Sequence, residues 1–393
     1  MVISITQLHE VDLVEVEEFI SLRRDIHQHP ELAFDEHRTA ALVAEKLKSW
    51  GYDVYEGIGG TGVVGVLKNG DGEMSIGLRA DMDALPIQEQ TGVDWASCNH
   101  GVMHACGHDG HTAMLLAAAK ELAAKKDFSG TVNLIFQPAE EGGGGALRMM
   151  ADGLFERFPC DSIFAIHNMP GYPVGHLVFR DGPTMSSSDY ATIEIDGVGG
   201  HGGMPHKASD SIVAASSIVM ALQTIVSRNV DPQKSAVITV GAFNAGHANN
   251  VIPASAKLEL SIRALDPQVR IDIEKRIKDL VKAQAESFGV SAKIDWRAGY
   301  AVLVNSAAET EFARNVAADL FGEAAITGQG PALSGSEDFA FMLEKIPGSY
   351  LFIGNGDTPG TCMVHNPAYD FNDGNIAVGA TFWCELVKQY LKL

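Results

Sequence analysis

The apolar positions of this chain switch between two periods, and the switching lays out an architecture. From Val11 to His29, the residues Leu13, Val16, Phe19, Ile20, Arg23 and Ile26 fall near one face of a helix, which Pro30 stops. Glu36 to Trp50 predicts a second helix, closed by Gly51. Strand-like runs follow at Gly62 to Leu67, Met74 to Leu78, Thr131 to Phe136 and Asp161 to Ile166. The Ala- and Leu-rich stretch Thr112 to Lys125 predicts a helix between two of them. Strands alternating with helices predict an α/β core with a mostly parallel sheet, in which ligands gather at the carboxyl ends of strands.

Around Ser186 the texture changes. Tyr190 to Ile195, Ala236 to Phe243 and Ala256 to Ala264 predict strands, Asp210 to Arg228 and Pro267 to Phe288 predict helices, and a last strand falls near Ser291 to Arg297. That order is a split β-α-β, ferredoxin-like α+β arrangement, compact enough to fold as an insertion. After Gly299 the first texture resumes, with a helix at Ala308 to Leu320, a strand at Tyr350 to Ile353 and a closing helix at Asn375 to Tyr390. The expected organisation is a discontinuous catalytic domain, 1–185 and 299–393, interrupted by a smaller domain, 186–298.

At 393 residues the chain exceeds one ordinary core, and 46% hydrophobic with 20% charged residues fits a folded soluble protein. A formal charge of -21 argues against nucleic acid or an anionic membrane as partner. Met1 to Glu18 has acids and no basic segment before an apolar run, so no signal peptide is expected, and no apolar stretch reads as the ~20 residues of a membrane span. The cysteines are few and odd in number (Cys98, Cys106, Cys160, Cys362 and Cys384), which speaks against a disulfide framework. The reducing cytoplasm is then the default compartment, where Cys106 stays available as a ligand.

The chemistry concentrates in Met103-His104-Ala105-Cys106-Gly107-His108-Asp109 and, about thirty residues on, Gln137-Pro138-Ala139-Glu140-Glu141. Thiolate, imidazole and carboxylate together suit zinc or a neighbouring transition metal. His167 and His365, both in turn-like polar settings, can complete a set large enough for two metals. Adjacent Glu140 and Glu141 point to opposite sides at a strand end, so one can bind metal while the other moves the proton of the attacking water. His104 and His111 compete for ligand roles, and spacing excludes neither. Asp83 either orients a histidine ligand or, with Asp81, caps a turn.

These stretches resemble the amidohydrolase branch of the M20 metallopeptidase-like family, which includes hippurate hydrolases, N-acyl-amino-acid amidohydrolases and auxin-conjugate hydrolases. The resemblance runs nearly end to end, through Arg24 to Leu32, Leu78 to Pro86, Met103 to Asp109, Gln137 to Glu141, Gly200 to His206, Asn250 to Pro253 and Ser336 to Phe339. It implies a dinuclear site with Cys106, His108, Glu141, His167 and His365 as ligands to two divalent ions (zinc, manganese, cobalt or nickel). It also implies Glu140 as general base and acid, and it removes His104 and His111 from the ligand set. The same resemblance implies a metallohydrolase core with a lid that often makes a homodimer. His201 is then expected near the scissile carbonyl, from its own or the partner subunit, with Asn250 and Arg263 near the substrate carboxylate. Where many relatives have histidine before Asn-Val-Ile-Pro, this chain has Asn249, with His247 upstream.

The function expected is metal-dependent cleavage of the amide of an N-acyl or N-aroyl L-amino acid. A dipeptidase or carboxypeptidase is the nearest alternative, but no acidic partner for a substrate ammonium is identifiable in the sequence. A non-catalytic metal-containing binding protein is a third reading, which the presence of both Glu140 and Glu141 beside all five ligands disfavours.

Overall fold

The computed structural model describes residues 14–358 and 361–392. The start of the first predicted helix, Val11 to Leu13, and most of the segment read for a signal peptide lie outside the described residues. The chain divides into two compact units: 1–182, 304–331 and 338–393 form one, and 183–303 with 332–337 form the other.

The larger unit is built on an eight-stranded sheet. Its centre holds Gly130–Gln137, Ser75–Asp81, Ser162–Met169 and Gly348–Gly354 side by side and parallel. The pairings toward Gly62–Asn69 and Asp53–Ile58 on one side, and toward Leu177–Val178 on the other, are antiparallel. The expected parallel sheet is therefore its middle. Asp53–Ile58 went unread because it is an exposed edge strand with no buried alternation until Ile58. The central strands are buried on both faces and read as continuous apolar runs.

His108–Lys125 is buried along nearly its whole surface, from His108 through Ala119 and again at Leu122. It packs against Gly374–Tyr390, Glu17–Gln28 and the central strand Ser75–Asp81, so small alanines are needed on every side. Its amino end is delivered to the carboxyl ends of the parallel strands, and that end carries the chemistry.

The smaller unit is a four-stranded antiparallel sheet in the order Ala236–Ala245, Ser255–Ala264, Asp189–Asp196, Ser291–Ala298. Helices Ser211–Asn229 and Pro267–Ser287 pack against it through Ala214, Ile218, Leu222, Val269, Ile273 and Ile277. Both helices have an aspartate N-cap, Asp210 and Asp266, accepting two backbone N–H groups each. The chain order and strand order are those of a split β-α-β unit. Segment 332–337 joins this unit because Leu333 exchanges backbone hydrogen bonds with Thr184 and Ser186 at 2.8 and 3.0 Å, a return of the chain invisible to a periodicity reading. Ser211–Asn229 has the length and composition to cross a membrane, contrary to the sequence reading. Its Ala214, Ala215, Ile218, Leu222 and Ile225 nevertheless face the core of this unit.

Candidate metal centre

Five side chains from distant parts of the sequence converge at the carboxyl end of the parallel sheet. Ligand atoms of Cys106, His108 and His167 lie within 4.8 Å of one another, and so do those of Cys106, Glu141 and His365. Cys106 belongs to both groups, which makes them contiguous. His108, Glu140 and Glu141 form a further such group, so Glu140 stands beside the cluster. All of these lie in the larger unit.

The backbone explains the convergence. Gly107 has φ +90°, and a Cβ there would lie 2.3 Å from Asn168 Nδ2 and 2.5 Å from the Tyr369 hydroxyl. Only glycine permits this turn, which presents Cys106 and His108 together just before the helix. Ala139 and His365 take left-handed φ of +51° and +65°, rare for residues with a side chain. His365 is fixed by its backbone N–H donating to the Ala105 carbonyl at 2.7 Å, and its Nε2 sits 3.1 Å from Glu141 Oε1.

Hydrogen bonds then set which ring nitrogen faces the cluster. His167 Nδ1 donates to the Asn168 carbonyl at 2.6 Å, leaving Nε2 at 3.3 Å from Cys106 Sγ. Burial, and then His111 and His108, hold the His167 imidazole well below its usual value. Asp83 accepts from His108 Nδ1 at 3.2 Å and from the Glu141 backbone N–H at 2.9 Å. Both Asp83 oxygens are thus spent, one on His108 and one on the Glu141 backbone. Buried His108 Nε2 has no hydrogen-bond partner.

His111 commits both ring nitrogens to the wall of the site. Nδ1 donates to Asp81 at 2.6 Å, and Nε2 accepts the Asn168 backbone N–H at 2.9 Å. Asp81 is in turn held by Arg79 at 2.6 Å. His104 is buried beside His27 and belongs to none of the metal-capable groups among the described residues.

The residues fit a divalent metal. Burial opposes charge on His108, but Asp81, Asp83 and Glu141 outweigh it and push its imidazole up to about 10. Burial, joined by Glu141 and Glu140, pushes the Cys106 thiol well above its usual value. Both shifts express one surplus of buried negative charge, which a divalent cation would neutralise, freeing His108 Nε2 and the Cys106 thiolate as ligands.

Sequence reading missed the supports. Asn168 donates from Nδ2 to the Cys106 carbonyl and accepts from the Tyr369 hydroxyl, each at 2.6 Å. The available signal was an amide at the end of an apolar run, which must find partners when buried. Behind the site, Arg23, His27, Asp109, Asp370 and Asp373 form a partly buried network of ion pairs.

In the smaller unit, His201 and Asn250 are brought together, because Val251 pairs with His201 and the Gly202 N–H donates to the Asn250 carbonyl at 2.8 Å. His201 Nδ1 accepts the Gly203 N–H at 3.0 Å, so its ring proton is on Nε2. Arg263 lies on Ser255–Ala264 and donates to Ser336 Oγ at 3.2 Å.

The profile of peptidase family M20/M25/M40 matches residues 77–389. Over 375 residues the chain is 50% identical to a hippurate hydrolase of Campylobacter jejuni, covering 95% of this chain and 97% of that protein. It is 39% identical to an N-acetyl-L-cysteine deacetylase of Bacillus subtilis, covering 95% and 88%. The crystal structure of Bacillus subtilis YXEP, a dinuclear metal binding peptidase from the M20 family, superposes with a TM-score of 0.83 at 33% identity, covering 95% and 98%. The chain therefore belongs to peptidase family M20/M25/M40, in its branch of metal-dependent amidohydrolases.

Proposed function

We propose that this protein hydrolyses the amide bond of N-acyl or N-aroyl L-amino acids, releasing a carboxylic acid and an amino acid. The observation that carries this reading is the contiguity of the Cys106–His108–His167 and Cys106–Glu141–His365 groups with Glu140 beside them. Similarity to a hippurate hydrolase and an N-acetylcysteine deacetylase supports the acylated substrate class.

Cys106, His108, Glu141, His167 and His365 would hold two divalent ions. Such ions supply electrophilic activation of a carbonyl and of water. The remaining work falls to the chain. Glu140 takes the proton of the attacking water and returns it to the departing nitrogen. Asp83 and the Asn168 carbonyl fix the His108 and His167 rings, so that each keeps one lone pair for the cluster. His201, with its proton on Nε2, serves as donor to the developing oxyanion, in its own or the partner subunit's site. Asn250 and Arg263 bind the substrate carboxylate, for which a guanidinium fork is suited. The smaller unit acts as lid and dimerisation domain, and its edge strand Ala236–Ala245 leaves Val237 and Phe243 exposed for a second copy.

The test is hydrolysis of N-benzoyl, N-acetyl and indole-acetyl amino acids, with plain dipeptides alongside, by chelated protein reloaded with zinc, manganese, cobalt or nickel. Metal-dependent cleavage of acylated substrates is expected. Cleavage of dipeptides alone would move the assignment to a peptidase.

A further inference from the structure

The loop that carries Glu140 and Glu141 is held in part from outside, by Asp83 at the Glu141 N–H and by Glu36 at the Ala139 N–H. It continues into Gly142 to Gly145, four residues with wide backbone freedom, and Gly142 and Gly144 both take positive φ. Its conformation turns on Ala139, which is fully buried and left-handed at φ +51°. The Ala139 N–H donates to Glu36 Oε1 at 2.8 Å, and the Ala139 carbonyl accepts from Gly145 at 3.1 Å.

Glu36 is itself fully buried, yet it sits at the N-cap position of His37–Ser49 without capping that helix. Glu31 does the capping instead, accepting the N–H groups of Arg38 and Thr39 at 2.8 and 2.9 Å. The Glu36 carboxylate turns away and spends Oε1 on Ala139 and on Phe34 N–H at 3.0 Å, and Oε2 on the Thr61 hydroxyl. A helix-capping role is thus already filled, and the carboxylate serves the loop.

We propose that Glu36 is a positioning residue for the reaction: by accepting the Ala139 N–H it holds the left-handed turn that aims Glu140 and Glu141. The proposal rests on the roles given to those two acids above. What the loop needs is an acceptor at the right distance rather than a charge. A glutamine at 36 keeps that acceptor, because its Oε1 can take both N–H groups while its amide donates to a reversed Thr61 hydroxyl. An aspartate keeps the charge but withdraws the acceptor by one methylene. A glycine at 139 adopts the left-handed turn unaided.

The experiment compares Glu36→Gln, Glu36→Asp and Glu36→Asp/Ala139→Gly with wild type on an N-acyl amino acid, and records the visible absorption of each cobalt-loaded protein. Glu36→Gln should retain most of the rate and the wild-type spectrum. Glu36→Asp should lose about tenfold to a hundredfold in kcat with KM little changed, with an altered spectrum. The double variant should recover most of that loss. Glu36→Asp at the wild-type rate, Glu36→Gln as impaired as Glu36→Asp, or no recovery with Ala139→Gly would each overturn the proposal. Glu140→Gln measured alongside separates the two assignments, because near-normal turnover there removes the premise whatever Glu36 does.

Discussion

Asp83 binds His108 at one ring nitrogen, Nδ1, at 3.2 Å, and leaves the other, Nε2, buried without a hydrogen-bond partner. The second oxygen of the same carboxylate holds the backbone of Glu141 at 2.9 Å. One side chain therefore orients two of the five proposed ligands, from the end of one central strand to the loop after its neighbour.

Asp83→Ala should accordingly weaken metal binding by about 10- to 100-fold, the usual cost of losing a carboxylate behind a ligating histidine. Competition with a chelator measures it. Unchanged affinity would mean that the His108 ring is held by packing alone.

Gly107→Ala should destabilise the protein by roughly 2–4 kcal/mol, combining a left-handed backbone with overlap against Asn168 and Tyr369. Denaturant midpoints of the metal-free protein isolate this from loss of ligands. A shift within about 0.5 kcal/mol, the range of ordinary surface substitutions, would show that this turn does not require glycine.

Stability should fall on the alkaline side through His27. Burial alone would lower its pKa, but Asp109 and Glu89 outweigh burial and raise it from 6.5 to about 9. Because the folded value is above the unfolded one, the stabilisation is complete below pH 6.5 and is lost as pH rises through about 9, on the order of 3 kcal/mol in all. Unfolding free energies of wild type and His27→Gln, measured across that window, should converge as pH rises. Parallel curves would show that the pair contributes no pH dependence.

How much of this was legible in the sequence depended on whether a feature was local. Helix Pro267–Ser287 and strand Ser162–Met169 announce themselves by period, and Cys106, Gly107 and His108 by proximity. Asn168, Tyr369 and Glu36 were silent, because an amide, a phenol and one acid among many acquire meaning only from partners that lie 62, 201 and 103 residues away. His111 shows the same limit in reverse. Its spacing suits a ligand, yet Asp81 and the Asn168 N–H occupy both nitrogens, and only folding brings them there.

In the proposed reaction a metal cluster activates the amide while Glu140 handles the proton, and the turnover of Glu140→Gln at verified metal loading tests this division of labour most directly. With hippurate as substrate and two ions per chain confirmed by elemental analysis, the rate should fall by about 10²- to 10⁴-fold, the range for loss of a general base, while the metal stays bound. A fully loaded Glu140→Gln protein that turns over near the wild-type rate would contradict the account.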